Sequence, residues 1–192
     1  MKPVDRSEVL GLGEYEQIRE RFRRRVIEDK RARRVPLGGH MTVLFENHDT
    51  VLFQIQEMLR TERISAAQAV RHEIETYNQL VPGEDELSAT IFIEYPETEE
   101  RDRMLVALAG VERCFYVTTG EERLPAQGEK RGERTDRTTA VQYVKFPLSG
   151  AARRAIESGE GTLRLGVDHP AYKVEVDLSK ATRESLAADL VG

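Results

Sequence analysis

Residues 38–60 read GGHMTVLFENHDTVLFQIQEMLR, and this stretch decides the fold. Between His40 and Glu46 every second side chain is apolar, which is the two-residue period of a strand. A polar turn, Asn47-His48-Asp49, follows. Apolar residues then recur at helical spacing, at Val51, Leu52, Ile55, Met58 and Leu59. The stretch therefore predicts a strand, a turn and a helix that folds back over the strand.

The turn offers side chains for two different uses. Asn47 or Asp49 can cap the helix, because a short side-chain oxygen accepts hydrogen bonds from the free amides of the first turn. The mixed face of the strand carries His40 and Glu46 beside the helix start, where a metal ion or an anion can bind. The alternative is that these are ordinary polar side chains, with Glu46 favoured by the positive end of the helix.

The composition is that of a globular protein. The chain has 192 residues, of which 39% are hydrophobic and 33% charged. We expect one domain over 1–192, with 1–36 as an N-terminal basic helical segment and 37–192 as the core. No apolar run approaches the roughly 18 residues of a membrane helix, and no export signal is apparent, which predicts a cytoplasmic protein. Cys114 is the only cysteine, so an internal disulfide is excluded.

The net charge of −5 conceals a basic segment. Residues 19–34 include nine Lys or Arg residues and three acidic residues. We expect these cations, Arg33 included, on the outer surface of a helix that ends before Pro36. They form a predicted partner surface at Arg21, Arg24, Arg25, Arg31 and Arg34. An acidic partner suits this surface, and binding of nucleic acid is the less favoured alternative because no interleaved aromatics or groove-reading motif is apparent.

The remaining chain alternates between helical and strand patterns. Ser65 is expected to cap a helix from about Ala66 to Leu80, and Ser149 a helix to Ser158. Strands are predicted at 87–95, 114–118, 123–127, 139–146, 162–167 and 173–178, with further helices at 97–110 and 180–190. Short turns between neighbouring strands favour an α+β fold, with a mainly antiparallel sheet of about six to seven strands packed with about five to six helices. Residues 128–137 contain no apolar residue and predict an exposed loop.

Five segments together resemble a bacterial family catalogued as domain of unknown function 3501 (DUF3501). They are GHMTVLFENHDTV (39–51), QIQEMLR (54–60), YNQLVP (77–82), ATIFIE (89–94) and GVDHPAY (166–172). The resemblance covers nearly the whole chain and supplies no activity. It implies a setting beside rubrerythrin-like and iron–sulfur electron-transfer proteins. The implied role is therefore accessory to a redox or oxidative-stress system, with such a redox protein as partner.

The chemistry-bearing residues suggest one candidate polar site. It comprises His40, Glu46, Asp49, Glu57, Glu94 and His169. Within it, His40, His169, Glu46 and Glu94 are candidate ligands of a divalent metal (zinc, iron or manganese), since mixed imidazole and carboxylate sets suit these ions. No compact metal motif, P-loop or nucleophile elbow is present. A metal-dependent enzyme and a non-catalytic interaction protein both stay open, and we expect the six side chains to line one cleft if the protein is an enzyme.

Overall fold

The computed structural model describes residues 1–128, 136–159 and 161–191. In this part of the chain six α-helices occur at Leu12–Arg33 (α1), His48–Thr61 (α2), Ala67–Asn78 (α3), Thr98–Ala107 (α4), Gly150–Ser158 (α5) and Lys180–Val191 (α6). Nine strands occur at Arg34–Pro36 (β1), Met41–Phe45 (β2), Glu86–Ile93 (β3), Phe115–Thr119 (β4), Glu122–Pro125 (β5), Gln127–Gly128 (β6), Val141–Pro147 (β7), Leu163–His169 (β8) and Tyr172–Asp177 (β9). Two short 3-10 helices lie at Arg6–Glu8 and Val111–Arg113.

The strands form two antiparallel sheets. One has five strands in the order β1-β2-β3-β7-β6, and the other has four in the order β5-β4-β8-β9. Their inner faces share one hydrophobic core, to which Phe45, Ile91 and Phe146 contribute from the first sheet and Val117 and Leu165 from the second. The predicted α+β fold with antiparallel strands is confirmed, with the strands divided between two sheets.

A second core lies around α2, α3 and the N-terminal segment. It is built from Val9, Val51, Ile55, Val70 and Ile74, and half-buried Tyr143 of β7 packs against it. Tyr143 pairs with Thr90 of β3. Because directly opposed residues share a face, these helices cover the side of the five-stranded sheet that faces away from the main core.

Helices α1 and α2 pack antiparallel. The contacts run in opposite order along the two helices, at Arg25–Asp49, Phe22–Phe53, Arg19–Glu57 and Glu16–Arg60. The C-terminal end of α1 also contacts α6. Helix α1 is thus held on one side by α2 and at its end by α6, and it also contacts β2.

The predicted corner between strand and helix is present. β2 ends at Phe45 and α2 begins at His48, with Asn47 as the N-cap. Asn47 Oδ1 accepts from the Thr50 amide at 2.9 Å, and Thr50 Oγ1 accepts from the Asn47 amide at 2.9 Å. This reciprocal pair satisfies two amides that the helix leaves free. Of the two candidate caps in the turn, Asn47 is the one used.

We expect Asn47→Ala to destabilise the protein by about 1–2 kcal/mol, because the side-chain oxygen that accepts from the Thr50 amide is lost, although the backbone amide at position 47 can still donate to Thr50 Oγ1. The measurement is urea unfolding of both proteins at one pH. The matched control is Ser65→Ala, expected to change stability by less than about 0.5 kcal/mol. Ser65 makes no cap hydrogen bond, since Ala66 is the N-cap of α3. An equal loss in both variants would contradict this assignment.

Three further details differ from the sequence predictions. The prediction that Ser65 caps α3 is wrong, as is the prediction that Arg33 is on the outer surface, since Arg33 is only 1% exposed. Residues 34–36, which the prediction placed at the end of the basic segment without a strand, form β1. This strand pairs with β2 through Val35 and Val43. Of the predicted exposed loop 128–137, residues 129–135 lie outside the described residues.

Candidate functional site

Glu46 lies at the end of β2 on the face covered by α2, and it is 2% exposed. Its carboxylate accepts hydrogen bonds from Thr50 Oγ1 and Thr90 Oγ1, both at 2.5 Å. Its amide donates to the carbonyl of Ser88 at 2.8 Å. A buried carboxylate is tolerated when its oxygens are hydrogen-bonded, as they are here. Glu46 therefore holds the corner together through β3 and α2.

Lys30 of α1 extends over the same corner. Its Nζ lies 5.4 Å from the centroid of the Phe53 ring, at cation–π distance. Burial lowers the pKa of Lys30, and the neighbouring Arg34 lowers it further, while Glu46 raises it. This environment of Lys30 could not be predicted from the sequence, because one lysine within an arginine-rich helix has the pattern of a solvated side chain.

Arg34 and Phe92 extend this surface along the sheet. The guanidinium carbon of Arg34 lies 5.6 Å from the Phe92 ring centroid. Phe92 pairs with Thr42 of β2 and with Val141 of β7, and directly opposed residues share a face of the sheet. Phe92 is half-buried, so the apolar ring is covered in part by the cation above it.

We define the basic–aromatic face by the residues that these contacts connect. Arg23, Ile27 and Lys30 follow one another at four- and three-residue spacing, which places them on one stripe of α1. Ile27 is 39% exposed and Val141 is 37% exposed, which is unusual for large apolar side chains in this structure. The face consists of Arg23, Ile27, Lys30, Arg34, Phe53, Phe92 and Val141.

His40 and Glu94 lie close together beyond the end of this face. The His40 ring stacks on Tyr95 with centroids 4.2 Å apart and planes at 10°. Its Nδ1 lies 3.4 Å from the Glu94 carbonyl oxygen. The Glu94 carboxylate accepts from Thr42 Oγ1 at 2.6 Å. These two predicted site residues therefore meet through backbone and neighbouring side chains, where β2 begins and β3 ends.

Asp49 and Glu57 serve the contact between α1 and α2. Asp49 pairs with Arg25 at 2.9 Å. Glu57 accepts two bonds from Arg19, at 2.7 and 2.8 Å, and one from the Tyr15 hydroxyl at 2.7 Å. The Arg19 bonds lower the pKa of Glu57, whereas burial and the Glu57 contact raise the pKa of Tyr15. Both carboxylates are thus engaged with α1.

His169 belongs to the other sheet, at the end of β8, and is 8% exposed. Its Nε2 lies 3.2 Å from the Ala109 carbonyl oxygen, and its Nδ1 accepts from the Ala171 amide at 3.2 Å. This assigns the proton to Nε2. Both ring nitrogens are used in fastening the β8–β9 turn to the segment after α4.

The six predicted side chains do not share a network of contacts. His40 and Glu94 are neighbours, Glu46 is buried at the corner, Asp49 and Glu57 face α1, and His169 lies on the second sheet. The described residues contain no group of three or more His, Cys, Asp or Glu side chains placed to hold a metal ion. Metal binding stays a prediction.

A wide groove of about 930 Å³ lies elsewhere, between the N-terminal segment and the end of α6. His48 lines it, with Nε2 at 3.1 Å from Glu8 and Nδ1 at 3.1 Å from Asp49. Both carboxylates engage the imidazole directly. The groove therefore combines one histidine with its own acidic partners, and His48 couples the N-terminal segment to α2.

The chain is similar to a protein family and to a solved structure, both of unknown function. A family model described as "Protein of unknown function (DUF3501)" matches residues 3–190. No curated protein matches the chain. A solved structure from Burkholderia pseudomallei K96243, a novel protein of unknown function at 1.90 Å, is 32% identical, with a TM-score of 0.93. The match covers 98% of this chain and 100% of that one. Among the described helices, none combines the length and the apolarity that crossing a bilayer requires.

Proposed function

We propose a function for this chain, which belongs to the DUF3501 family of proteins of unknown function: it is an accessory protein that docks an acidic protein partner on its basic–aromatic face. The observation that carries the proposal is the pairing of two cations, half-buried Lys30 and exposed Arg34, with half-buried aromatic rings on one side of α1. Lys30 lies over Phe53 and Arg34 over Phe92.

The charges on this face are available to a partner. Among the residues that the structure describes, Arg23, Lys30 and Arg34 have no ion pair, whereas Arg19 and Arg33 are engaged with Glu57 and Asp189 inside the molecule. The five arginines of the predicted partner surface fall into two groups by this criterion. Arg21, Arg24 and Arg34 are exposed and have no carboxylate partner among the described residues, whereas Arg25 pairs with Asp49 and Arg31 with Glu28.

The apolar side chains supply the part of the interface that charge alone does not. Ile27 and Val141 are exposed, and the Phe53 and Phe92 rings are half-exposed. Interface cores are enriched in aromatic residues and arginine, and these types dominate the energetics of binding. A partner with acidic side chains around an apolar centre would match the face in both respects.

A protein partner fits better than nucleic acid. The whole chain carries a net charge of −5, and its isoelectric point is about 5.6. Nucleic-acid-binding domains are usually strongly basic, because phosphate contacts supply most of their affinity. The family resemblance suggests a rubrerythrin-like or iron–sulfur protein as the partner, and redox complexes of this kind rely on small, charge-steered interfaces.

The proposal predicts that Arg23→Glu combined with Arg34→Glu weakens binding by about tenfold or more, because two attractive contacts become repulsive. The partner to titrate is a purified rubrerythrin-like protein from the same organism. Calorimetry gives Kd, and stopped-flow mixing gives the association rate. We also expect affinity to fall as sodium chloride rises from about 50 to about 300 mM, since salt screens exposed charges.

The matched control is Arg71→Glu combined with Arg103→Glu. Both arginines are exposed, lie on α3 and α4, and have no ion pair within the described residues. This control makes the same change in net charge away from the face and should bind like the native chain. Equal binding by the two double variants would contradict the proposal. A duplex oligonucleotide bound more tightly than the protein partner would favour the nucleic-acid alternative.

A further inference from the structure

The two sheets have four edges, and in the described structure only the edge strand β9 is both long and free of proline. β1 has three residues and ends in Pro36, β5 has four and ends in Pro125, and β6 has two. Short edge strands and edge prolines discourage pairing with another chain. β9 has six residues, and among the described strands it pairs with β8 alone. Its outer edge is therefore open to a further strand.

The pairing with β8 decides which backbone groups of β9 face the open edge. The Leu178 amide donates to the Leu163 carbonyl oxygen at 2.8 Å, and this pair continues the β8–β9 register. Backbone groups alternate in direction along an antiparallel strand, so those of Lys173, Glu175 and Asp177 point away from β8. These three residues offer the amides and carbonyls that a partner strand would bond.

The side chains of β9 alternate between two faces of the sheet. The three charged residues are exposed on the outer face, whereas Tyr172, Val174 and Val176 pack against the main core and are half-buried. Val167 of β8, which lies opposite Val174, is only 1% exposed. A strand added beside β9 would cover the half-buried side chains as β9 covers those of β8, and burial of apolar surface favours association.

We propose that β9 pairs with β9 of a second copy of this chain, antiparallel and about a two-fold axis at Val174. In this register Lys173 lies opposite Glu175 of the partner subunit, and Glu175 lies opposite the partner's Lys173. Moving the axis to Glu175 or to Lys173 would oppose two like charges, which is destabilising. The charges therefore select both the occupant and the register. The proposal goes beyond partner docking, because β9 shares no residue with the basic–aromatic face.

The ion pairs already present on the outer face are compatible with this dimer. Lys173 Nζ lies 2.9 Å from Asp168, and the Arg164 guanidinium lies 2.7 Å from Glu175. In the dimer these pairs join into a row of alternating charge that runs from Asp168 and Lys173 of one copy to Glu175 and Arg164 of the partner subunit. The same row forms twice, because the two-fold axis repeats it. The contact closes after two copies, since each copy offers one β9.

Sedimentation velocity of the native chain from about 1 to about 200 μM should show a reversible equilibrium between monomer and dimer. Lys173→Glu and Glu175→Lys should each weaken the dimer about tenfold or more, because each opposes two pairs of like charge. An equimolar mixture of the two variants should restore it, since both pairs are then of opposite charge. The matched control, Lys180→Glu on α6, should dimerise like the native chain. A native chain that stays monomeric, or a dimer that neither variant weakens, would overturn the proposal.

Disulfide cross-linking tests the register. Opposed residues of a non-hydrogen-bonded pair have Cα atoms about 4.5 Å apart, within reach of a disulfide. Val174→Cys should therefore give a disulfide-linked dimer under mild oxidation, whereas Glu175→Cys should stay at the level of the native chain, whose one cysteine is Cys114. Equal cross-linking of the two variants would contradict an axis at Val174.

Amide hydrogen exchange distinguishes a second copy from a different protein on this edge. Exchange at residues 172–177 should slow as the concentration of the native chain rises. Protection of these residues only when a purified rubrerythrin-like protein is added would assign the edge to that protein and overturn the proposal. Because dimerisation and cross-linking are measured on the chain alone, their outcomes are independent of docking on the basic–aromatic face.

Discussion

Replacing Arg33 with alanine is expected to destabilise the protein by about 3–5 kcal/mol. Arg33 is 1% exposed, and its guanidinium donates to the carbonyl oxygens of Phe45 at 2.9 Å and Glu46 at 3.0 Å. It also donates to Ser185 Oγ at 2.8 Å and pairs with Asp189. One side chain thus ties α1, the corner after β2 and α6 together. Removing it deprives two backbone carbonyls and the Asp189 carboxylate of the bonds that Arg33 donates.

The measurement is the free energy of unfolding in urea, with Arg31→Ala as the matched control. Arg31 lies two residues away on the same helix, is exposed, and pairs only with Glu28 in the described structure, so its loss should cost less than about 0.5 kcal/mol. Arg33→Met tests whether apolar packing can replace the network. A loss for Arg33→Ala no larger than for Arg31→Ala would show that Arg33 does not hold these elements together.

Gly38→Ala is expected to destabilise the protein by about 2–4 kcal/mol, from backbone strain and lost hydrogen bonds together. Gly38 has φ of +76° in the turn between β1 and β2. An added Cβ would overlap with the Tyr172 hydroxyl oxygen and lie 3.0 Å from Val174 Cγ2. That hydroxyl donates to the Leu37 carbonyl at 2.8 Å and accepts from the His40 amide at 3.2 Å. The substitution therefore strains the contact between the two sheets.

The neighbouring glycine provides the control for Gly38. In the described part of the chain no atom lies within 4 Å of a Cβ added at Gly39, and Gly39 is not among the residues with positive φ, so Gly39→Ala should have little effect. Tyr172→Phe removes only the two hydrogen bonds and should cost about 1–2 kcal/mol. Thermal unfolding of the three variants side by side gives the comparison. Equal melting temperatures for Gly38→Ala and Gly39→Ala would mean that this turn does not constrain the sheets.

The local structure was predictable because it depends on neighbours in the sequence. The alternation from His40 to Glu46 and the helical spacing from Val51 to Leu59 correspond to β2 and α2. The caps Asn47 and Ser149 could also be predicted, since each side chain accepts a hydrogen bond from an amide three residues ahead. Period and capping are local properties, and they set the element types and the antiparallel α+β class.

The site depends on contacts that the sequence does not reveal. Arg33 and its partner Asp189 are 156 positions apart in the sequence. The burial of Arg33 within a basic helix therefore has no local signal. The fold brings Phe53 of α2 and Phe92 of β3 beside cations of the basic segment. These contacts provide the interleaved aromatic residues that the sequence pattern of that segment does not show. The division of the strands into two sheets places His169 and His40 on different sheets, and their ring nitrogens contact different groups, although both flank predicted strands.

The most direct test of partner docking on the basic–aromatic face is amide hydrogen exchange of the chain with and without a purified rubrerythrin-like protein, the proposed partner. We predict slower exchange in the complex along residues 20–34 of α1 and β1 and at the exposed end of β3 and β7 near Phe92 and Val141. Exchange in the groove between the N-terminal segment and α6 should be unchanged. Protection confined to that groove, with α1 exchanging as in the free chain, would contradict the account.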